Sequence, residues 1–158
     1  MTMTEGQQAP DFKLVGSDGK EHQLKDYNGK KLIIFFYPKD NTPGCTKEAC
    51  AFGEMYADLL AMDINLLGVS KDSLKSHDRF IEKFNLPFIL LSDTDTTMLQ
   101  AYGAWGEKTM CGKVSIGCIR STVVIDSDGT ILKHWAKVKK AADHPQEVLD
   151  FLKGLLNE

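Results

Sequence analysis

Cysteine is scarce in this chain, four in 158 residues, and no two stand as a Cys-x2-Cys pair. So sparse a set excludes a secreted disulfide scaffold. The missing pair removes the usual signature of both a zinc knuckle and a thiol–disulfide oxidoreductase. Long apolar runs are also lacking. The longest, LIIFFY at 32–37, falls far short of the roughly 20 residues that cross a bilayer, so no membrane partner is expected. Basic runs are missing too. Net charge is −3, and Lys137, Lys139 and Lys140 read as a solvated face, which argues against nucleic acid. There are no repeats, low-complexity tracts or Pro/Gly/Ser-rich linkers, so residues 1–158 are expected to form a single domain. A chain this long buries roughly 70% of its unfolded surface and needs no disulfide staples. The opening MTMTEGQQAP is polar, without the apolar core of a secretory signal. A reducing, cytoplasmic setting is the expectation, where thiols are catalytic, metal-binding or core filler.

What is present alternates between two periods. Phe12 and Leu14 suggest a short strand before a turn at Gly16-Ser17-Asp18-Gly19. Residues 31–37 read as a fully buried strand stopped by Pro38. Phe52, Met55, Tyr56, Leu59 and Leu60 recur at helical spacing and define one apolar face. Residues 64–69 give a second buried strand, followed by a helix capped by Asp72 or Ser73 with Leu74, Phe80, Ile81 and Phe84 inward. A third strand over 88–91 and a short helix over 94–102 come next. Residues 121–125 and 131–135 flank the turn Asp126-Ser127-Asp128-Gly129 as a hairpin. Pro145 opens a last helix with Val148, Leu149, Phe151, Leu152, Leu155 and Leu156 as its stripe. This order predicts an α/β protein, a central mixed sheet flanked by helices on both faces. It is the element order of a thioredoxin-like fold.

Chemistry concentrates in the loop TPGCTKEAC, residues 42–50. The buried strand ends at Tyr37, the chain turns on Pro43-Gly44, and Cys45 falls where the next helix begins. The first-turn N–H groups there lack partners and the macrodipole is positive, which favours a thiolate over a thiol. An ordinary thiol is only about 3% ionised at pH 7. Bringing one to a pKa near 6 takes roughly 3.4 kcal/mol, and a helix terminus supplies at most about 2 kcal/mol. A nearby cation must provide the rest.

These residues carry a resemblance. Pro38, Thr42 and Cys45 match the Pro-x-x-x-Thr-x-x-Cys signature of peroxiredoxins, thiol peroxidases on a thioredoxin-like fold. Arg120, in IRSTVVID, matches the arginine that the family sets beside its cysteine. The TPGCTxEAC loop and the WGEK…G…IRST segment resemble the bacterioferritin comigratory protein branch, also called PrxQ. The likeness runs from Ala9-Pro10-Asp11-Phe12 to the final helix. It implies that Cys45 is the peroxidatic nucleophile and that Thr42 orients peroxide through its hydroxyl, as donor or acceptor. Arg120 would favour the thiolate and stabilise charge on the leaving oxygen, Pro38 would fix the loop, and Glu48 would hold the arginine. It further implies a hydroperoxide substrate, recycling by thioredoxin or a similar dithiol donor, no cofactor, and a monomer.

The spacing of Cys45 and Cys50 constrains any disulfide. Along one continuous helix, five residues place the Cα atoms roughly 8.7 Å apart, against about 4.4–6.8 Å for a disulfide. If Cys50 resolves the oxidised Cys45, as the branch implies, the helix start must unwind first. Cys111 and Cys118 depart from the branch pattern and read as structural, although their closeness to Arg120 leaves a resolving role open. His22, His77, His134 and His144 share no metal spacing and read as solvent-facing or capping residues. Trp105 reads as packing. The competing functions are a thiol–disulfide oxidoreductase and a cysteine-based metal module. Elemental analysis tests the latter: the purified protein is expected to hold zinc far below stoichiometry, whereas a full equivalent supports the module.

Overall fold

The computed structural model describes residues 3–156. Its central sheet is built around β3 (Lys31–Phe36), the apolar run read from the sequence. Both faces of β3 are covered, which is why it shows no polar alternation. Leu32, Ile34 and Phe36 enter one core, while Ile33, Phe35 and Tyr37 enter the other. Each such side chain contributes about 1.5–3 kcal/mol by leaving water.

β3 is flanked by β4 (Ile64–Ser70) in parallel and by β8 (Ser121–Ile125) antiparallel, with β5 (Ile89–Ser92) and β9 (Ile131–Trp135) outermost. The order β5-β4-β3-β8-β9 is a mixed sheet. α1 (Pro43–Ala61) and α4 (His144–Leu156) pack with Phe80 of α2 (Leu74–Phe84) against the Phe35 face. α3 (Thr97–Ala101) and the N-terminal segment cover the other, through Met98, Leu99, Phe12 and Ala9. The mixed sheet with helices on both faces therefore stands, and Ser73 is the α2 cap, accepting from Ser76 N.

Several expectations need correction. Leu60 is 46% exposed and Leu156 50%, because each apolar stripe is narrower than its sequence suggests. Phe80 is buried as expected and Ile81 and Phe84 pack against the same core, but they and Leu74 are only partly buried, and α2 also turns His77 inward. β1 (Lys13–Val15) includes Leu14 but not Phe12, which packs in the core beside Tyr102. Three strands had no sequence signal: β2 (Glu21–Gln23), which pairs with β1 across the expected turn, and the antiparallel pair β6 (Trp105–Met110) and β7 (Lys113–Cys118). The β6–β7 ribbon stands apart from the main sheet and exposes Val114 and Ile116, so it lacks the buried face that gives strands a readable alternation.

Register is what places the site. Phe36 pairs with Val69 on one side and with Ser121 on the other. The residue before β8, Arg120, is thereby set beside the loop leaving β3. Gly68 shows how tight the sheet is: a Cβ there would lie 2.6 Å from Leu90 Cδ2 and 2.8 Å from Phe35 Cζ. Gly68→Ala is expected to destabilise the fold by about 1–3 kcal/mol, read as a lower urea midpoint with unchanged slope.

Candidate active site

α1 begins at Pro43, a residue suited to a first helical position because no N–H is needed there. Thr42 is the N-cap residue, yet its side chain does not cap the helix. Its hydroxyl instead donates to the Lys39 carbonyl oxygen at 2.8 Å. That spends the hydroxyl proton and leaves the oxygen's lone pairs to accept. Cys45, in the first turn, is 1% exposed, and both it and Glu48 lie on the buried face of α1 with Ala49 and Phe52.

The structure brings Arg120 onto this turn. Its Nη2 donates to Cys45 Sγ at 3.2 Å, and its Nη1 donates to Glu48 Oε1 at 2.8 Å. One planar guanidinium thus spans a sulfur and a carboxylate on successive turns of a helix. Gly44 eases this approach, since a Cβ at that position would sit 3.2 Å from Nη2 and press on the guanidinium. Val138 N donates to the Arg120 carbonyl at 2.8 Å and fixes the backbone from the other side.

The electrostatics follow from burial. Burial pushes the Glu48 carboxyl up to about 7, against the opposing pull of Arg120. Its Oε2 is buried without a hydrogen-bond partner, so its anion is incompletely satisfied. Burial also opposes the Arg120 charge, but Glu48 and the Cys45 sulfur outweigh it and move its value up.

The remaining cysteines are in different surroundings. Cys50, partly buried on the same helix, borders a recess of about 310 Å³ with Gly53, Glu54, Phe84, Leu86 and Pro87. Burial and then Glu54 push its thiol up. All four cysteines are free, and Cys45 and Cys50 share one unbroken helix. Cys111 is exposed in the turn between β6 and β7, whereas Cys118 is buried at the end of β7 with its thiol pushed up to about 12 by burial. That environment suits a structural thiol. Pro38 is half-buried at the start of the loop. Trp105 packs against the core as expected.

The histidines depart from the solvent-facing expectation. His22, His77 and His144 are buried. His144 opens α4 and bonds Thr122 Oγ1 and Glu147 Oε1. His77 reaches Asp40 in the site loop, a pairing with no short-range sequence signal.

A cysteine sulfur in a helix's first turn, capped by a guanidinium, defines a thiol-based redox site on a thioredoxin-like fold. The chain belongs to the AhpC/TSA family, whose model matches residues 5–134. Peroxiredoxin Bcp of Bacillus subtilis is 44% identical over 155 residues, 98% of each chain. Among solved structures, a cysteine-to-serine mutant of Xylella fastidiosa PrxQ superposes with a TM-score of 0.92 at 36% identity over 99% of each chain. The bacterioferritin comigratory protein of Xanthomonas campestris, whose structures address its alkyl peroxide reduction activity, gives 0.84 at 39% identity over 90% of each chain. The resemblance to the Bcp/PrxQ peroxiredoxins is borne out.

The raised Glu48 carboxyl carries a pH signature. Because its folded value exceeds the unfolded one, its contribution is fully present below about pH 4.5 and is lost as pH rises through about 7. The parent is expected to lose up to about 1.4 kcal/mol per pH unit in that window relative to Glu48→Gln, measured by urea unfolding at pH 5 and 8. Parallel profiles for the two proteins would mean that Glu48 ionises without cost.

Proposed function

We propose that this peroxiredoxin reduces hydrogen peroxide and organic hydroperoxides through Cys45, with Cys50 as the resolving thiol and a thioredoxin-like dithiol as reductant. The carrying observation is the 3.2 Å contact between Arg120 Nη2 and Cys45 Sγ. A cation at that distance, beside the helix N-terminus, sets positive charge against the reacting sulfur and the oxygen it displaces. The alkyl peroxide reduction of the X. campestris relative supports the same substrate class here.

In the first step the Cys45 thiolate attacks one peroxide oxygen and the O–O bond breaks. The sulfur is oxidised to sulfenic acid, and the departing oxygen takes a proton to leave as water or alcohol. Thr42, its proton committed to Lys39, accepts from the peroxide hydroxyl and orients the O–O bond. Arg120 stabilises charge developing on the leaving oxygen. Glu48 holds the guanidinium in place, and Pro38 fixes the loop. In the second step Cys50 attacks the sulfenic sulfur, releasing water and forming a disulfide. A dithiol donor then reduces that disulfide and is itself oxidised.

The continuous helix obliges a rearrangement between these steps, since Cα atoms five residues apart lie roughly 8.7 Å from each other and cannot bridge. Unwinding the start of α1 brings the sulfurs together. It also takes Cys50 out of the burial and away from Glu54, the two influences that hold its thiol protonated. Resolution is thus activated by the same motion that permits it. The chain would act as one domain over its whole length and as a cytoplasmic monomer.

Peroxide consumption with a dithiol donor tests this cycle. Cys45→Ser is expected to abolish turnover, and Cys50→Ser to retain a single round of reduction but lose efficient recycling. Arg120→Met is expected to slow the peroxide step by about 10²–10³-fold. Multiple turnover by Cys45→Ser would end the proposal.

A further inference from the structure

Upstream of Cys45 the site loop is fastened at one residue. Asp40 is buried, and its carboxylate is met from three directions. Tyr37 Oη donates to Oδ1 at 2.6 Å, Ser76 Oγ donates to Oδ2 at 2.8 Å, and His77 Nδ1 lies 2.8 Å from Oδ2. The other imidazole nitrogen, Nε2, lies 2.9 Å from the Leu91 carbonyl oxygen. A carbonyl only accepts, so Nε2 carries a proton. If Nδ1 were bare, its lone pair would face a carboxylate oxygen with no hydrogen between them. A proton therefore sits on the line from Nδ1 to Oδ2. Each of these polar atoms is partnered, which makes their burial tolerable.

The surrounding contacts tie this pair to the sheet. Asp40 N donates to Asp72 Oδ2, which also accepts from Ser70 Oγ, both at 2.8 Å, and Ser92 Oγ donates to the Asp72 carbonyl. The carboxyl ends of β3, β4 and β5, with the first turns of α2, thus converge on one loop residue. Just past it the buried fastening gives way to an exposed one, Lys83 Nζ donating to Asn41 Oδ1 at 3.3 Å. Asn41 holds a left-handed φ of 59°. The Thr42 side chain leaves the helix uncapped, and the first turn of α1 has no acidic side chain.

We propose that the buried Asp40–His77 pair is a positioning device, resting on the peroxidase reading above. It holds residues 38–42, and with them the start of α1, in the peroxide-reactive geometry. It stays closed while α1 unwinds from Thr42 onward, so melting stops at Asp40. His77 acts through the loop and is a positioning residue.

Single-turnover rapid quench on the reduced, full-length protein separates the two steps. His77→Gln keeps reach towards Leu91 but loses the donor to Asp40, whereas His77→Asn keeps a donor near Nδ1. In His77→Gln and Asp40→Asn, sulfenic acid formation is expected to fall at least about tenfold, since displacements near 1 Å already cost that much or more. His77→Asn should recover most of the loss, and conversion of sulfenic acid to disulfide should be unchanged or faster in all three. Sulfenic acid formation at the parent rate in His77→Gln, or an equal fall in both steps, overturns the proposal. Hydrogen exchange of the reduced protein needs no peroxide: faster exchange at amides 39–46, with β3 unchanged, supports the proposal, and unchanged exchange at 39–46 overturns it. A parent protein that reduces no peroxide would sink the peroxidase reading while leaving the exchange result to stand by itself. Should His77→Gln fail to fold, Ser76→Ala removes one donor from the same carboxylate; a fall of about threefold confined to the first step supports the proposal, and no fall overturns it.

Discussion

The guanidinium of Arg120, shared between a sulfur and a carboxylate on adjacent turns of α1, is the contact on which the site depends. Neither group would carry a charge comfortably alone. Cys45 and Glu48 lie on the apolar face of a helix packed against the sheet, where an uncompensated charge costs several kcal/mol. The arginine makes the arrangement tolerable, and in the proposed cycle the same group meets the negative charge that gathers during O–O cleavage. The orphaned Glu48 Oε2 marks the limit of that compensation.

The sheet exists, for this purpose, to bring two remote segments into register. β3 delivers the loop and α1, and its antiparallel partner β8 delivers Arg120 one residue before Ser121. The parallel side, through β4, β5 and α2, steadies the loop from below. In the proposed cycle, reactivity and rearrangement have separate supports: a firmly bonded base at Asp40, and a helix start that the Thr42 side chain leaves uncapped.

Much of this was legible in the sequence where physics is local. A continuous apolar run buried on both faces reads as a central strand, and a hairpin turn between β-branched segments reads as β8–β9. The Pro-Gly-Cys step into a helical period reads as an activated helix start that demands a further cation, and only the resemblance to peroxiredoxins named Arg120 as that cation. Long-range pairing was not legible. His77 meets Asp40 across 37 residues, and nothing near either one announces the other. The β6–β7 ribbon escaped because its outward-facing Val114 and Ile116 cover no core. Leu60 and Leu156 misled because periodicity marks a face but not how wide a neighbour covers it.

Cys45 and Arg120 are 75 residues apart, and no local segment unites them; only completed β3–β8 pairing does. A nascent or misassembled chain therefore carries at position 45 a sulfur without its cation. On the peroxidase proposal, activation of that sulfur arrives only with the finished architecture, as a late product of folding.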